Sequence, residues 1–162
     1  MNTGGIVVDR DLMVPARDGV MLATDVYRPE GLGPFPVLLE RTPYDKSAAS
    51  RSERTAAVAN PRSRAEVAAY FTVHGYAVAY QDCRGRYRSG GHFTKYLSEA
   101  EDGYDTLAWL LRQPWCNGCI GTFGLSYAAH TQAALGCLDP PGLVAQFLDC
   151  GGFSNLWAPP VA

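Results

Sequence analysis

Ser126 stands between an apolar run and a sequence typical of a helix, in the segment Gly121-Thr-Phe-Gly-Leu-Ser-Tyr-Ala-Ala129. Gly124 lies two residues before it and small residues follow it, so a strand and a helix can approach closely here. A sharp strand-to-helix turn exposes the hydroxyl at a helix N-terminus, where the helix dipole favours developing negative charge. The pattern predicts a nucleophilic serine, with the backbone N–H of Tyr127 aimed at an oxyanion. The alternative is an ordinary serine that caps a helix.

A serine of this kind needs a second oxyanion donor and a base. Tyr44 follows a short apolar run, and its phenol is the candidate for the second donor. Serine is a poor nucleophile until a base removes its proton. His92 is the best placed of the three histidines, since His130 lies one helical turn after Ser126 and His74 lies near a helix end. We expect all three to be packing or surface residues.

The elements that must position these residues alternate along the chain. An Asp-Gly turn between two β segments is a hairpin signal. Strands are predicted at 6–14, 20–28, 36–41, 76–80, 117–123 and 143–149, helices at 63–74, 98–112 and 127–138, and a mobile loop at 46–61. This order predicts an α/β fold with an N-terminal β-hairpin, a mostly parallel sheet and helices on both faces. Chemistry in such sheets collects at the carboxyl ends of the strands, where Ser126 and Tyr44 both fall.

Two local patterns add detail to this scheme. Ser98 is a candidate N-cap, and Glu101 is spaced to complete a capping box with it. The loop at 82–91 holds one aspartate and three arginines, namely Asp82, Arg84, Arg86 and Arg88. Its spacing matches no phosphate-binding loop, so we expect structural ion pairs that hold a loop under the site.

Composition excludes several classes of protein. The chain has 162 residues, 47% hydrophobic and 19% charged, with a net charge of −2, as in a soluble globular domain that binds neither nucleic acid nor membrane. The five cysteines are an odd number, and no secretory signal precedes them, so free thiols and a cytoplasmic location are expected. Cys116 and Cys119 have metal-ligand spacing, but no second pair completes a site. We expect no metal and no cofactor.

Several motifs in one order carry a resemblance to a known family. They are Val14-Pro-Ala-Arg-Asp-Gly-Val20, Thr24-Asp-Val-Tyr-Arg-Pro29, Arg41-Thr-Pro-Tyr-Asp-Lys46, Gln81-Asp-Cys-Arg-Gly-Arg86, Glu101-Asp-Gly-Tyr-Asp105 and Gly121-Thr-Phe-Gly-Leu-Ser-Tyr127. Together they resemble the N-terminal part of the cocaine esterase-like and X-prolyl dipeptidyl aminopeptidase family of α/β-hydrolases. The resemblance runs along nearly the whole chain.

The resemblance implies a serine hydrolase that transfers an acyl group from an ester or amide to water. Ser126 matches the family nucleophile, the Tyr44 hydroxyl matches one oxyanion donor, and the Tyr127 backbone N–H matches the other. The family has glycine where Ala129 stands, so a methyl group is expected to crowd the turn. A small ester or peptide substrate and a homodimer are also implied.

The family's aspartate and histidine, helical cap, remaining strands and C-terminal β-sandwich have no counterparts in this sequence. Residues 1–162 are therefore predicted to be the N-terminal portion of an α/β-hydrolase domain, truncated before the end of the fold. The alternative function is that of a catalytically incompetent fragment that acts at most as a binding or self-associating domain, because its open sheet edge favours association.

Overall fold

The computed structural model describes residues 5–31, 33–49 and 60–151. Most of the loop predicted at 46–61 lies outside these residues. The described part contains six strands and three helices: β1 (Ile6–Pro15), β2 (Met21–Pro29), β3 (Phe35–Thr42), α1 (Arg64–Val73), β4 (Ala77–Asp82), α2 (Glu99–Leu111), β5 (Cys116–Leu125), α3 (Tyr127–Gly136) and β6 (Leu143–Asp149). Every predicted strand and helix is present, with ends shifted by a few residues.

The six strands form one sheet in the order β1-β2-β4-β3-β5-β6. β1 and β2 pair as an antiparallel hairpin, and β2 pairs antiparallel with β4. β3, β4, β5 and β6 run parallel to one another. The predicted hairpin and mostly parallel sheet are confirmed, and the parallel strands direct their carboxyl ends to one edge.

Both faces of the sheet are covered by helices, because alternate residues of the buried strands are apolar on each side. Val37, Leu39, Ala77 and Ala79 pack against Leu107, Leu110 and Leu135 of α2 and α3. On the opposite face Val78 and Tyr80 pack with Ala68 and Phe71 of α1. The prediction of helices on both faces is confirmed.

The predicted capping box of α2 is wrong. Ser98 does precede the helix, but its φ is 64° and its side chain makes no capping hydrogen bond. A complete capping box instead begins α1, where the Ser63 side chain accepts from the Glu66 backbone N–H and the Glu66 carboxylate accepts from the Ser63 backbone N–H. The spacing of serine and glutamate does not distinguish the start of α1 from that of α2, because a cap also requires an extended backbone at the serine.

Candidate active site

Ser126 occupies a strained turn between β5 and α3. Its backbone has φ 59° and ψ −112°, a region that residues other than glycine rarely enter. The backbone N–H of Ser126 donates to the carbonyl of Asp149 at the end of β6 (2.9 Å), so the neighbouring strand holds the turn in place. The residue is exposed. The sequence pattern therefore folds into a turn that presents a serine side chain at the carboxyl edge of the sheet.

Small residues allow this turn to form. A Cβ atom added at Gly124, whose φ is 147°, would lie 2.5 Å from the Cβ of Ala128. A Cβ atom added at Gly151 would lie 2.6 Å from the Cβ of Ala129. The methyl group of Ala129 thus fits because the residue opposite it is glycine. The crowding expected from the sequence is relieved in this way.

Tyr44 follows β3 at the same edge of the sheet as Ser126, since β3 and β5 are parallel neighbours. Its side chain is 44% exposed. Its backbone N–H donates to the Thr42 hydroxyl (3.1 Å), which shapes the start of the loop. The structure therefore brings the elements that carry the two residues side by side.

The loop around Tyr44 is held from below by charged side chains. Arg86 donates to the carbonyl of Pro43 (3.0 Å), and Arg64 donates to the carbonyl of Asp45 (2.9 Å). Asp82 accepts from the Lys46 backbone N–H (2.8 Å). Burial raises the pKa of Asp82 despite this hydrogen bond. These contacts fix the backbone on both sides of Tyr44.

The interpretation of the arginine loop as structural is supported residue by residue. Arg84 pairs with Asp18 (2.6 Å) and with Asp102 (2.6 Å), which ties the first hairpin to α2. Arg88 pairs with Asp11 (3.3 Å) on β1. Among the described residues these arginines face protein carboxylates and carbonyls.

Within the described residues no histidine is hydrogen-bonded to Ser126, whose hydroxyl makes no hydrogen bond there. His130 packs its ring against Tyr96 (4.4 Å between centroids), and its Nε2 is buried without a hydrogen-bond partner. Burial lowers the pKa of His130. The Nδ1–H of His74 donates to the Tyr70 carbonyl (2.7 Å) at the end of α1, and His92 is exposed. His130 is thus packed against an aromatic ring, and His74 and His92 lie at the surface.

A buried polar cluster beneath the turn was missed by the sequence analysis. In this cluster Arg41 of β3 and Glu99 of α2 lie 3.2 Å apart (Nη2 to Oε2). The phenol of Tyr127 donates a hydrogen bond to the same glutamate (2.9 Å). Burial opposes the charge of Arg41, but the carboxylate of Glu99 leaves the pKa of the guanidinium above its ordinary value. Burial, with the charge of Glu99, also raises the pKa of the Tyr127 phenol. The sequence feature that could have indicated this cluster is Arg41, an arginine at the end of an apolar strand.

The part of the chain that the structure describes has neither a metal-binding cluster nor a membrane-spanning helix. In residues 5–31, 33–49 and 60–151 no group of three or more His, Cys, Asp or Glu side chains is arranged to hold a metal ion. Cys83, Cys116, Cys119, Cys137 and Cys150 are free thiols. None of the described helices combines the length and apolar character needed to cross a bilayer.

Comparison with known proteins decides the family. The X-Pro dipeptidyl-peptidase (S15) family matches residues 18–158. The chain belongs to this family. Cocaine esterase of Rhodococcus sp. (strain MB1 Bresler) is 44% identical to this S15 chain over 132 residues, which are 82% of this chain and 21% of that protein.

Solved structures place this S15 chain among the α/β-hydrolases. A CocE/NonD family hydrolase from Staphylococcus aureus superposes with a TM-score of 0.74 and 30% identity, over 87% of this chain and 27% of that one. An alpha-amino acid ester hydrolase gives a TM-score of 0.71 and 31% identity, over 88% of this chain and 25% of that one. The chain thus spans about a fifth to a quarter of the length of these relatives. Its fold is that of the N-terminal part of a hydrolase family.

Proposed function

We propose that this chain carries the nucleophile and the oxyanion-binding side of a serine hydrolase. Ser126 attacks the carbonyl carbon, and the Tyr127 backbone N–H and the Tyr44 hydroxyl donate to the oxygen as it becomes negative. The observation that carries the proposal is the strained turn of Ser126 (φ 59°, ψ −112°) at the carboxyl edge of the sheet, where the end of β6 holds its backbone and its side chain is exposed. Strain of this kind persists only where surrounding structure enforces it, and it clusters at functional sites.

The electrostatics of the turn support the same role. The N-terminus of α3 adds a partial positive charge at Ser126, because the first N–H groups of a helix have no intrahelical partner. The carbonyl of Ser126 already accepts from Ala129 (3.0 Å) and His130 (3.1 Å). The N–H of Tyr127 belongs to those first N–H groups, which are available to a developing oxyanion.

We propose a carboxylic ester as the substrate class, with the Xaa-Pro peptide bond as the alternative. The proposal follows the printed names of two relatives, the cocaine esterase and the alpha-amino acid ester hydrolase, which are 44% and 31% identical to this chain. Comparison of p-nitrophenyl acetate with alanyl-prolyl p-nitroanilide distinguishes the two classes. Hydrolysis of the anilide alone, lost in Ser126→Ala, would contradict the ester assignment.

A fluorophosphonate probe tests the nucleophile. Attack by the Ser126 oxygen forms a P–O bond, fluoride leaves, and the serine proton passes to solvent. Because no histidine of the described residues is hydrogen-bonded to Ser126, we expect slow labelling, with peptide mass spectrometry finding the adduct on Ser126 and none in Ser126→Ala. Ser98→Ala is the matched control, because Ser98 is also exposed, has φ 64° and precedes a helix. Equal labelling of the two serines, or none at Ser126, would contradict the proposal.

The second candidate function is a non-catalytic, self-associating domain. It is favoured by β6, which pairs only with β5 among the described strands and exposes Val144 and Phe147 (65% and 70%). An unpaired strand edge is a template for pairing with another chain. Sedimentation velocity would detect a concentration-dependent dimer. Ester hydrolysis that is lost in Ser126→Ala would defeat this candidate as the sole function.

A further inference from the structure

We propose that Glu99 is a positioning residue that holds Tyr127, and with it one oxyanion donor, in fixed relation to strand β3. The inference rests on the proposed function, since it concerns the same oxyanion site. Glu99 does not touch the reacting atoms in this scheme. It acts through the phenol of Tyr127 on one side and through Arg41 on the other.

The Tyr127 side chain is held by directional contacts. Its hydroxyl donates to Oε1 of Glu99 (2.9 Å) and accepts from the backbone N–H of Tyr96 (2.9 Å). The ring of Tyr96 stacks on it at 5.2 Å with an interplanar angle of 14°. The residue is 6% exposed. A phenol fixed at both its oxygen and its face leaves little freedom for the backbone N–H of the same residue.

Glu99 in turn is tied to strand β3. Arg41 donates to the backbone carbonyl of Glu99 (2.7 Å), and its second terminal nitrogen lies 3.2 Å from the Glu99 carboxylate. Arg41 also donates to the side chain of Gln81 on the adjacent strand (2.8 Å). Both charged side chains are nearly inaccessible to solvent, at 2% and 3% exposure. Tyr44 lies three residues after Arg41, so one buried ion pair links the elements that carry both proposed oxyanion donors.

A purely structural role does not account for this arrangement. Removing two charges from water is costly, and well-packed apolar residues often stabilise a core as well or better. Here the acceptor of the phenol is the charged group itself, next to a serine whose backbone is strained. Preorganised donors accelerate acyl transfer because they need no rearrangement as charge develops. Fixing the Ser126–Tyr127 peptide is the advantage that an apolar replacement would lose.

The test uses two variants and a matched control. Tyr127→Phe removes only the hydroxyl and keeps the backbone N–H, and Glu99→Gln removes the charge while keeping the size of the side chain. Asp105→Asn is the control, since it breaks an ion pair of the same helix with Arg17 (2.9 Å) at the surface. We expect both test variants to lower the rate of fluorophosphonate labelling at Ser126 by about tenfold or more, and the control to label at the wild-type rate.

A second readout separates this inference from the proposed function. In ¹⁵N–¹H correlation spectra we expect Tyr127→Phe and Glu99→Gln to shift the amide resonance of residue 127 and to speed its hydrogen exchange, whereas Asp105→Asn leaves both unchanged. If the wild-type chain is not labelled, the proposed function fails and the amide spectra alone decide the inference. Wild-type labelling rates, or an unmoved amide resonance, in a folded Tyr127→Phe variant would overturn it even if Glu99→Gln does not fold.

Discussion

At the scale of single residues, the turn at Ser126 depends on the absence of a side chain at two neighbouring glycines. Gly124 and Gly151 each face a methyl group of α3, on Ala128 and Ala129, at distances that leave no room for a second carbon. The need for glycine two residues before the serine could be predicted from the motif. The role of Gly151 could not, because it lies on a segment that approaches the helix only after β6 has joined the sheet.

The pair formed by Ala129 and Gly151 makes a testable double-mutant cycle. Gly151→Ala places a methyl group against that of Ala129, and we expect overpacking to lower the free energy of unfolding by about 1–3 kcal/mol. Ala129→Gly alone should cost about 1 kcal/mol, because glycine is a poor helix former. The double variant should be more stable than the sum of the two losses predicts, by about 1 kcal/mol or more. Urea unfolding of the four proteins measures the coupling, and additive losses would contradict the contact.

At the scale of elements, α1 and α2 begin in different ways although each follows a serine. α1 begins with a satisfied capping box at Ser63, whereas Ser98 sits in the left-handed region before α2 without a capping hydrogen bond. In the first turn of α2, the buried side chains of Glu99 and Asp102 form ion pairs with Arg41 and Arg84. Tertiary ion pairs replace a local cap at this helix.

This difference predicts opposite effects for two substitutions at serine. Ser98→Gly should stabilise the protein by up to about 1 kcal/mol, because the left-handed conformation costs other residues about 1–2 kcal/mol and glycine very little. Ser63→Ala should destabilise it by about 1 kcal/mol through loss of the cap. Thermal unfolding followed by circular dichroism measures both. A lower midpoint for Ser98→Gly than for the wild type would contradict the described backbone.

The elements themselves were largely predictable from local patterns. Alternation of short apolar runs with helical spacing gave the strands and helices, and the Asp-Gly turn gave the hairpin. The buried link from Arg41 to Glu99 and Tyr127 was not predictable, because its members come from separate elements and meet only in the folded sheet. The predicted roles of Ser126, Tyr44 and the Tyr127 N–H stay predictions. The structure describes the turn at Ser126 and the carboxyl edge of the sheet at which these residues lie.

At the scale of the whole molecule, the two faces of the sheet are unequally covered near β6. An apolar groove of about 590 Å³ lies beside α1 and includes Leu38, Phe71, Phe123 and Phe147. Phe147 is 70% exposed there. The exposed ring of Phe147 therefore forms an apolar wall of this groove.

A hydrophobic dye tests whether this groove is open in solution. We expect 1-anilinonaphthalene-8-sulfonate to bind the native protein with enhanced fluorescence, and Phe147→Ser to lower that fluorescence several-fold because the ring forms one wall of the groove. Leu97→Ser is the control, since Leu97 is 63% exposed outside the groove. Equal fluorescence of the two variants would contradict an open groove. The dimer implied by the family resemblance stays a separate prediction.

The buried pair of Arg41 and Glu99 also bears on the order in which the chain matures during synthesis. The two residues are 58 positions apart, so at about 5–20 residues per second the arginine waits about 3–12 s for its partner to be translated. An unpaired guanidinium stays hydrated, because sequestering it alone costs several kcal/mol. The carboxyl end of β3 should therefore remain hydrated on the ribosome until α2 has emerged. The surroundings of Ser126 should then be among the last parts of the domain to lose their water.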